Sequence, residues 1–158
     1  MIAMNVERRL VAVCRERETT LATAESCTGG LIAARITSVP GASAVFLGGV
    51  VSYSNAVKRD LLGVPREVLD RVGAVSAECA EAMASGARQR LGSDVAVSVT
   101  GIAGPDGGTP QKPVGLVYFG LASPGGVRSE RCLFEGDRET IRRSAAERAL
   151  ELLYTAVR

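Results

Sequence analysis

The stretch Thr19–Thr37, with the sequence TTLATAESCTGGLIAARIT, predicts a strand, a tight turn and a helix in close succession. Its first part, Thr19–Ala24, is short and rich in residues that favour strands. From Gly29 onward, apolar residues recur at helical spacing. A strand that passes directly into a helix through a glycine-containing turn indicates an α/β protein.

The same patterns continue on both sides of this unit. Strands are expected at 45–54, 94–100, 114–122 and 127–134, and helices at 5–17, 55–62, 65–72, 76–91 and from 137 onward. Pro124-Gly125-Gly126 predicts a hairpin between the last two strands, which requires an antiparallel part of the sheet. Residues 1–158 are therefore predicted to form a single-domain α/β/α sandwich with a mixed parallel and antiparallel sheet. The adjacent Gly48 and Gly49 predict a bulge or a close backbone approach.

Composition narrows the class of protein. The chain has 158 residues, of which 46% are hydrophobic and 23% charged, and a net charge of +2. Such a balance gives no electrostatic reason to expect a nucleic-acid or membrane partner. The four cysteines form no C-x-x-C pair, which excludes a zinc knuckle and a thioredoxin-like motif. Widely spaced thiols favour a reducing compartment, so we expect a cytoplasmic location.

The turn itself carries the first chemical candidates. Ser26 is expected just before a helix, where unpaired N–H groups and the helix dipole favour an oxyanion or a phosphate. Thr28, Gly29 and Gly30 are the expected N–H donors. The alternative is that Ser26 or Thr28 simply caps the helix. Cys27 competes as a nucleophile, but adjacent residues leaving a strand face opposite sides, and cysteine tolerates burial better than serine.

A serine nucleophile needs a base, and the chain contains no histidine. Lys58 is predicted in the first turn of a helix capped by Asn55, where the helix dipole disfavours a positive charge. A lysine with a lowered pKa can deprotonate serine, as in Ser–Lys hydrolases. Tyr53 could relay the proton or hold the oxygen. The alternative is a lysine on a solvated helix face.

A second candidate region is the glycine-rich loop Thr100–Gly108, which follows a predicted buried strand, where ligands of α/β sheets usually bind. It matches neither the P-loop nor the dinucleotide-binding fingerprint, and a plain connector is the alternative. Lys112 and Arg138 are candidates for binding an anion. Arg142 and Arg143 could do the same or be ordinary surface charges.

Taken together, these segments resemble the C-terminal domain of the CinA family of competence/damage-inducible proteins and its stand-alone members, the nicotinamide mononucleotide deamidases called PncC. The resemblance covers nearly the whole chain, in family order. The matching segments are Thr23–Gly30, Val51–Asn55 with Lys58, Gly73–Ser76, Thr100–Gly108, Lys112–Gly115 and Gly136–Arg138.

The resemblance implies hydrolysis of nicotinamide mononucleotide to nicotinate mononucleotide and ammonia, in pyridine nucleotide salvage. It implies Ser26 as nucleophile, assisted by Lys58 and Tyr53, and requires neither a metal nor a cofactor. Substrate contacts are expected from Thr28, Gly29, Gly30, Thr100, Gly101, Gly104 and Arg138. Family members commonly form homo-oligomers, so we expect one here. The larger pyrophosphatase-like domain that often precedes this domain is not in the sequence, so deamidase activity alone is expected.

One departure and two alternatives accompany this interpretation. Leu116 stands where a small polar residue is expected, so substrate preference could differ if Leu116 lines the pocket. One alternative is a nucleotide-binding sensor without catalysis, and the other is hydrolysis of a different small amide. The combination of Ser26, Tyr53 and Lys58 argues against binding alone.

Overall fold

The computed structural model describes residues 4–158, which form a five-stranded sheet with helices packed on both of its faces. The strands are β1 (Leu21–Glu25), β2 (Phe46–Val51), β3 (Val95–Gly101), β4 (Leu116–Ser123) and β5 (Gly126–Leu133). The helices are α1 (Val6–Glu16), α2 (Leu31–Thr37), α3 (Asn55–Leu62), α4 (Arg66–Arg71), α5 (Ala77–Leu91) and α6 (Arg138–Val157). No helix between residues 4 and 158 is both long enough and apolar enough to cross a bilayer.

The sheet is mixed, as predicted. Its strand order is β2-β1-β3-β4-β5, in which β2, β1 and β3 run parallel and β4 runs antiparallel to both of its neighbours, β3 and β5. The apolar faces of α1, α2 and α6 pack with β1 and β3 on one side. On the other side, α3 and α5 enclose a second, smaller apolar cluster. The predicted α/β/α sandwich is therefore confirmed.

Several element boundaries differ from the predicted ones. The helix expected from Gly29 begins at Leu31, because Gly29 and Gly30 have φ values of 59° and 105°, which lie outside the helical region. Asn55 is not a cap but the first residue of α3. The cap is Ser54, whose hydroxyl accepts a hydrogen bond from the N–H of Val57 at 3.2 Å.

The predicted irregularity at Gly48 and Gly49 is confirmed. The pairing of β1 with β2 skips Leu47, so that Ala22 lies opposite Gly48. A Cβ atom on Gly49 would overlap the hydroxyl of Thr23 on the neighbouring strand. Glycine at position 49 therefore lets the two strands pair closely without displacing the Thr23 side chain.

The topology brings three strand ends to one edge of the sheet. The parallel strands β2, β1 and β3 all end there, and their following segments start side by side. The chain then leaves β1 for α2 on one face and leaves β2 for α3 on the other. When the connections after neighbouring strands go to opposite faces of the sheet, they leave a crevice at the carboxyl ends of those strands.

Candidate active site

Ser26 is held at the crevice by backbone hydrogen bonds on both sides of its side chain. It follows the last residue of β1, and its N–H donates to the carbonyl of Val99 on β3 at 2.9 Å. Its own carbonyl accepts from the N–H of Gly29 at 3.0 Å, which closes a tight turn over 26–29. Only 8% of Ser26 is exposed. The position of its hydroxyl is therefore fixed by the sheet and by the turn.

Lys58 lies on α3, on the face of the sheet opposite to α2, and its side chain reaches the Ser26 hydroxyl. Its Nζ lies 2.9 Å from Ser26 Oγ, 2.7 Å from the carbonyl oxygen of Ser52 and 3.0 Å from that of Tyr53. The residue is only 1% exposed, and no carboxylate among residues 4–158 forms an ion pair with it. A buried amine with three partners, one of them a serine hydroxyl, is suited to proton transfer.

The three partners of the Lys58 amine suit both of the forms that proton transfer requires. The charged amine can donate to Ser26 Oγ and to the carbonyls of Ser52 and Tyr53, whereas the neutral amine keeps two N–H donors for the carbonyls and has a lone pair that can accept the Ser26 O–H. Burial lowers the pKa of Lys58, although the nearby Cys79 and Cys27 thiols oppose the shift. The expected lowering of this pKa is thus present. Its main cause is burial instead of the helix dipole.

The side chain of Cys27, the residue after Ser26, packs into the core. It is 6% exposed and packs within the apolar cluster formed with α1, α2 and α6. Burial raises the pKa of its thiol to about 11, which keeps the thiol protonated at neutral pH. The prediction that one of the two neighbours faces the core is confirmed, and that neighbour is Cys27.

Tyr53 contributes to the site in two separate ways. Its carbonyl accepts a hydrogen bond from the Lys58 amine, while 61% of the residue is exposed. Its phenol oxygen accepts a hydrogen bond from the Arg138 guanidinium at 3.2 Å. Among residues 4–158, the phenol makes no direct hydrogen bond to Ser26 or Lys58. The expected phenol relay is therefore replaced, in this state, by a contact with Arg138.

A cleft of about 290 Å³ opens over Ser26 and Lys58, which are called the dyad below. It brings together seven of the expected site residues: Ser26, Tyr53, Lys58, Thr100, Gly101, Gly104 and Arg138. The remaining lining residues are Cys27, Asn55, Ala74, Val75, Ile102, Ala103, Asp106 and Gly107. The only carboxylate among these is Asp106, to which the sequence analysis assigned no role. The sequence feature that could have indicated a role for Asp106 is its position between the glycines of the 100–108 loop.

Thr28, Gly29 and Gly30 do not line this cleft. Thr28 is fully buried, and the N–H of Gly29 already donates to the Ser26 carbonyl. The first turn of α2 is occupied as well, because the buried Glu25 carboxylate accepts the N–H groups of Ile32 and Ala33 at 2.9 and 3.1 Å. Expecting an open helix N-terminus for a substrate anion was wrong. The contact of Glu25 with the start of α2 was not predicted, because its position directly after the predicted strand 19–24 gives no hint of capping.

The N–H groups of Cys27 and Thr28 remain free in this turn. Neither donates to another residue of the described chain. They are the two central N–H groups of the 26–29 turn, which are left unpaired when the turn closes through its outer residues. Of the expected donors, Thr28 has a free N–H and Gly29 does not, while the free N–H of Cys27 was not expected.

The basic residues near the cleft have separate roles. Arg138 donates to the Gly104 carbonyl at 2.8 Å and to the Tyr53 phenol, across the mouth of the cleft. Lys112 donates instead to the carbonyl of Val72 at 2.5 Å and does not line the cleft. Arg142 donates to the carbonyls of Cys27 and Thr28. It is therefore not an ordinary surface charge.

Two further features lie apart from the dyad. Leu116 is buried at the start of β4 and is absent from the cleft lining, so it does not face a bound substrate.

A larger cavity of about 690 Å³ lies near α2 and α6. Its charged side chains pair with one another or with neighbours, as Arg35 does with Glu147 and Arg148 with Glu151. The Ser26 cleft is therefore the stronger candidate site.

Comparison with known proteins gives a consistent family. The CinA C-terminal domain model matches residues 3–157. A CinA-like protein of Citrifermentans bemidjiense is 57% identical over 94% of this chain and 36% of its own length. A putative competence-damage inducible protein of Moorella thermoacetica is 53% identical over 93% of this chain and 36% of its own. The chain thus spans about a third of the length of these curated relatives.

Solved structures of similar length share the fold. The competence/damage inducible protein CihA from Agrobacterium tumefaciens is 43% identical and superposes with a TM-score of 0.93, covering 95% of this chain and 92% of that one. A CinA superfamily protein from Escherichia coli is 33% identical with a TM-score of 0.88, covering 96% and 90%.

Proposed function

We propose that this chain, which belongs to the CinA C-terminal domain family, hydrolyses the carboxamide of nicotinamide mononucleotide. The products are nicotinate mononucleotide and ammonia. The observation that carries the proposal is the buried Lys58 amine, 2.9 Å from Ser26 Oγ and without a carboxylate partner in the described chain. This pair supplies a nucleophile and its base, and the family resemblance supplies the nucleotide substrate.

The proposed reaction begins with transfer of the Ser26 hydroxyl proton to Lys58. Ser26 Oγ bonds to the carboxamide carbon, and the resulting oxyanion accepts a hydrogen bond from the free N–H of Cys27, which lines the cleft. Lys58 then gives its proton to the leaving amine, so that the C–N bond breaks and ammonia departs.

An ester between Ser26 and the nicotinoyl group remains after this first half of the reaction. Water attacks the ester carbon while Lys58 accepts a proton from the water. The second tetrahedral intermediate releases Ser26 as the leaving group, which regains its proton from Lys58. The first half returns Lys58 to its neutral form, and the second half restores the Ser26 hydroxyl as well.

Substrate recognition is proposed for the mouth of the cleft. The Arg138 guanidinium is suited to pair with the 5′-phosphate, since its present partners are two neutral oxygens, on Gly104 and Tyr53. Asp106 lies in the same cleft and can accept hydrogen bonds from ribose hydroxyls. Thr100, Gly101 and Gly104 shape the wall between these groups and the dyad.

The first experiment measures ammonia release from nicotinamide mononucleotide by wild type, Ser26→Ala and Lys58→Met. Loss of a nucleophile or its base is expected to lower kcat by at least about 100-fold. Cys27→Ala is the matched control, and we expect it to keep most of its activity because its thiol is buried and protonated. Activity that persists in Ser26→Ala and is lost in Cys27→Ala would overturn the assignment.

Nicotinamide riboside, which lacks the 5′-phosphate, separates a nucleotide amidase from an amidase for other small amides. We expect a lower kcat/KM for the riboside, and Arg138→Ala should remove most of the difference between the two substrates. Equal kcat/KM for both substrates in wild type would argue against a nucleotide substrate.

A further inference from the structure

Arg142 joins α6 to the turn that carries the nucleophile. Its Nε donates to the carbonyl of Cys27 at 3.1 Å, and its Nη2 donates to the carbonyl of Thr28 at 3.0 Å. The guanidinium thus holds two consecutive carbonyls of a segment more than 100 residues away in sequence. Both carbonyls directly follow Ser26.

These two contacts determine how the turn's peptide groups are oriented. Within a planar trans peptide, the C=O and the N–H point in opposite directions. The Cys27 carbonyl points at Arg142, so the N–H of Thr28 in the same peptide points away from the guanidinium. In the next peptide, Arg142 holds the Thr28 carbonyl while the Gly29 N–H donates to the Ser26 carbonyl.

We propose that Arg142 is a positioning residue: by holding the carbonyls of Cys27 and Thr28 it fixes the turn after Ser26, so that the free N–H of Cys27, which lines the cleft, meets the oxyanion formed when Ser26 attacks. The inference rests on the proposed amidase function and adds to it the group that fixes the oxyanion donor. Without Arg142, the peptides of the turn can rotate, and the Cys27 N–H would lose its position beside the developing negative charge.

An arginine is required to hold both carbonyls because its planar guanidinium presents two N–H groups at a fixed separation. A lysine at the same place could reach one carbonyl but not hold both. The neighbouring Arg143 provides the contrast: it is exposed and pairs with Glu139 on its own helix. Arg143→Ala is therefore a matched control, since it removes a guanidinium from the next position of α6 without touching the turn.

The test compares kcat and KM of Arg142→Ala, Arg142→Lys and Arg143→Ala with those of wild type. An oxyanion donor acts in the transition state only, so its misplacement lowers kcat and leaves KM nearly unchanged. Removal of one donor costs about 100- to 1000-fold in kcat, and we expect about 10- to 100-fold for a donor that is misplaced, not removed. Arg142→Lys should lie between Arg142→Ala and wild type.

A second measurement separates positioning from a general loss of structure. The analogue with an aldehyde in place of the carboxamide can form a hemiacetal with Ser26, whose oxygen would sit at the oxyanion position. Arg142→Ala should bind this analogue more weakly by the same factor as its loss in kcat, whereas its affinity for nicotinate mononucleotide should stay within about threefold of wild type.

The outcomes distinguish this inference from the proposed function. If wild type hydrolyses the nucleotide and Ser26→Ala does not, the proposed function stands. If Arg142→Ala then matches Arg143→Ala in kcat, or loses analogue and product affinity equally, the role of Arg142 is wrong. An inactive wild type would instead overturn the proposed function itself.

Discussion

At the scale of the residue, Lys58 is unusual because its amine is removed from water without gaining a negative partner. Lysine is almost never fully buried unless it is paired. Here two carbonyls and one hydroxyl accept or share its hydrogen bonds, which satisfies the amine but stabilises its positive charge less than a carboxylate would. The burial that disfavours the charge is therefore what lowers the pKa of Lys58.

The pH dependence of the proposed reaction follows from this burial. The active form of Lys58 is the neutral amine, so kcat should rise with pH through the pKa of Lys58 and then reach a plateau. Because burial lowers this pKa, the midpoint should lie below 10.5, the ordinary value for a lysine side chain. Steady-state rates between about pH 5 and pH 11 measure it.

Two profiles would contradict this prediction. A rate that falls as pH rises through the same range would require a protonated Lys58. A midpoint at or above the ordinary lysine value would mean that the amine is solvated in the working enzyme. Arg143→Ala, which alters charge far from the amine, should leave the midpoint where wild type has it.

At the scale of the element, Lys58 depends on how closely α3 packs against α5. A Cβ atom on Gly86 of α5 would overlap the carbonyl oxygen of Leu62, in the last turn of α3. Leu62 lies one helical turn beyond Lys58, so the same contact sets the height of the lysine above the sheet. The small residue allows the backbones of the two helices to meet.

Gly86→Ala is therefore expected to destabilise the protein by about 1–3 kcal/mol, because the added methyl group forces the helices apart. In an exposed helix the same change would stabilise by about 1 kcal/mol, since alanine is the better helix former. Denaturant unfolding measures the difference, and Ser85→Ala at the exposed neighbouring position is the control. An unchanged or increased unfolding free energy for Gly86→Ala would show that α3 and α5 can separate without cost.

At the scale of the whole molecule, one ion network joins three helices on the same face of the sheet. Arg35 of α2 lies 2.7 Å from Glu7 of α1 and 2.7 Å from Glu147 of α6. Burial raises the pKa of Glu7, but the hydrogen bond and charge of Arg35 outweigh it and hold the pKa below its ordinary value. The network fixes α2, and with it the turn that begins at Ser26.

A carboxylate whose pKa is lowered by folding stabilises the protein above its unfolded pKa, and this contribution disappears as pH falls through the folded pKa. Glu7→Gln should therefore lower the unfolding free energy at pH 7 by about 1 kcal/mol or less, because the pair is partly solvated. The difference in unfolding free energy between Glu7→Gln and wild type should shrink as the pH is lowered towards about 3. Glu139→Gln, at an exposed pair, is the control, and a pH-independent difference for Glu7→Gln would contradict the network's role.

Part of the site was predictable from local sequence, and part was not. Ser26, Lys58 and the 100–108 loop stand out because a hydroxyl, a lysine and several glycines follow predicted strands, whose carboxyl ends share one edge of a parallel sheet. The roles of Glu25 and Arg142 were not predictable. Their partners are backbone groups, which carry no residue-specific signal, and in the case of Arg142 they lie on a different element.

The sequence by itself determined the order and type of the helices and strands and the mixed sheet, because periodicity, caps and turn residues act over a few neighbouring positions. The family was indicated separately, by the resemblance of several segments of the chain. The sequence also placed the candidate nucleophile and base. Only the tertiary structure decided which Ser26 neighbour faces the core, which N–H groups remain free and what lowers the pKa of Lys58. These depend on burial and on hydrogen bonds between elements far apart in the chain, which exist only once the sheet and both helical layers have packed.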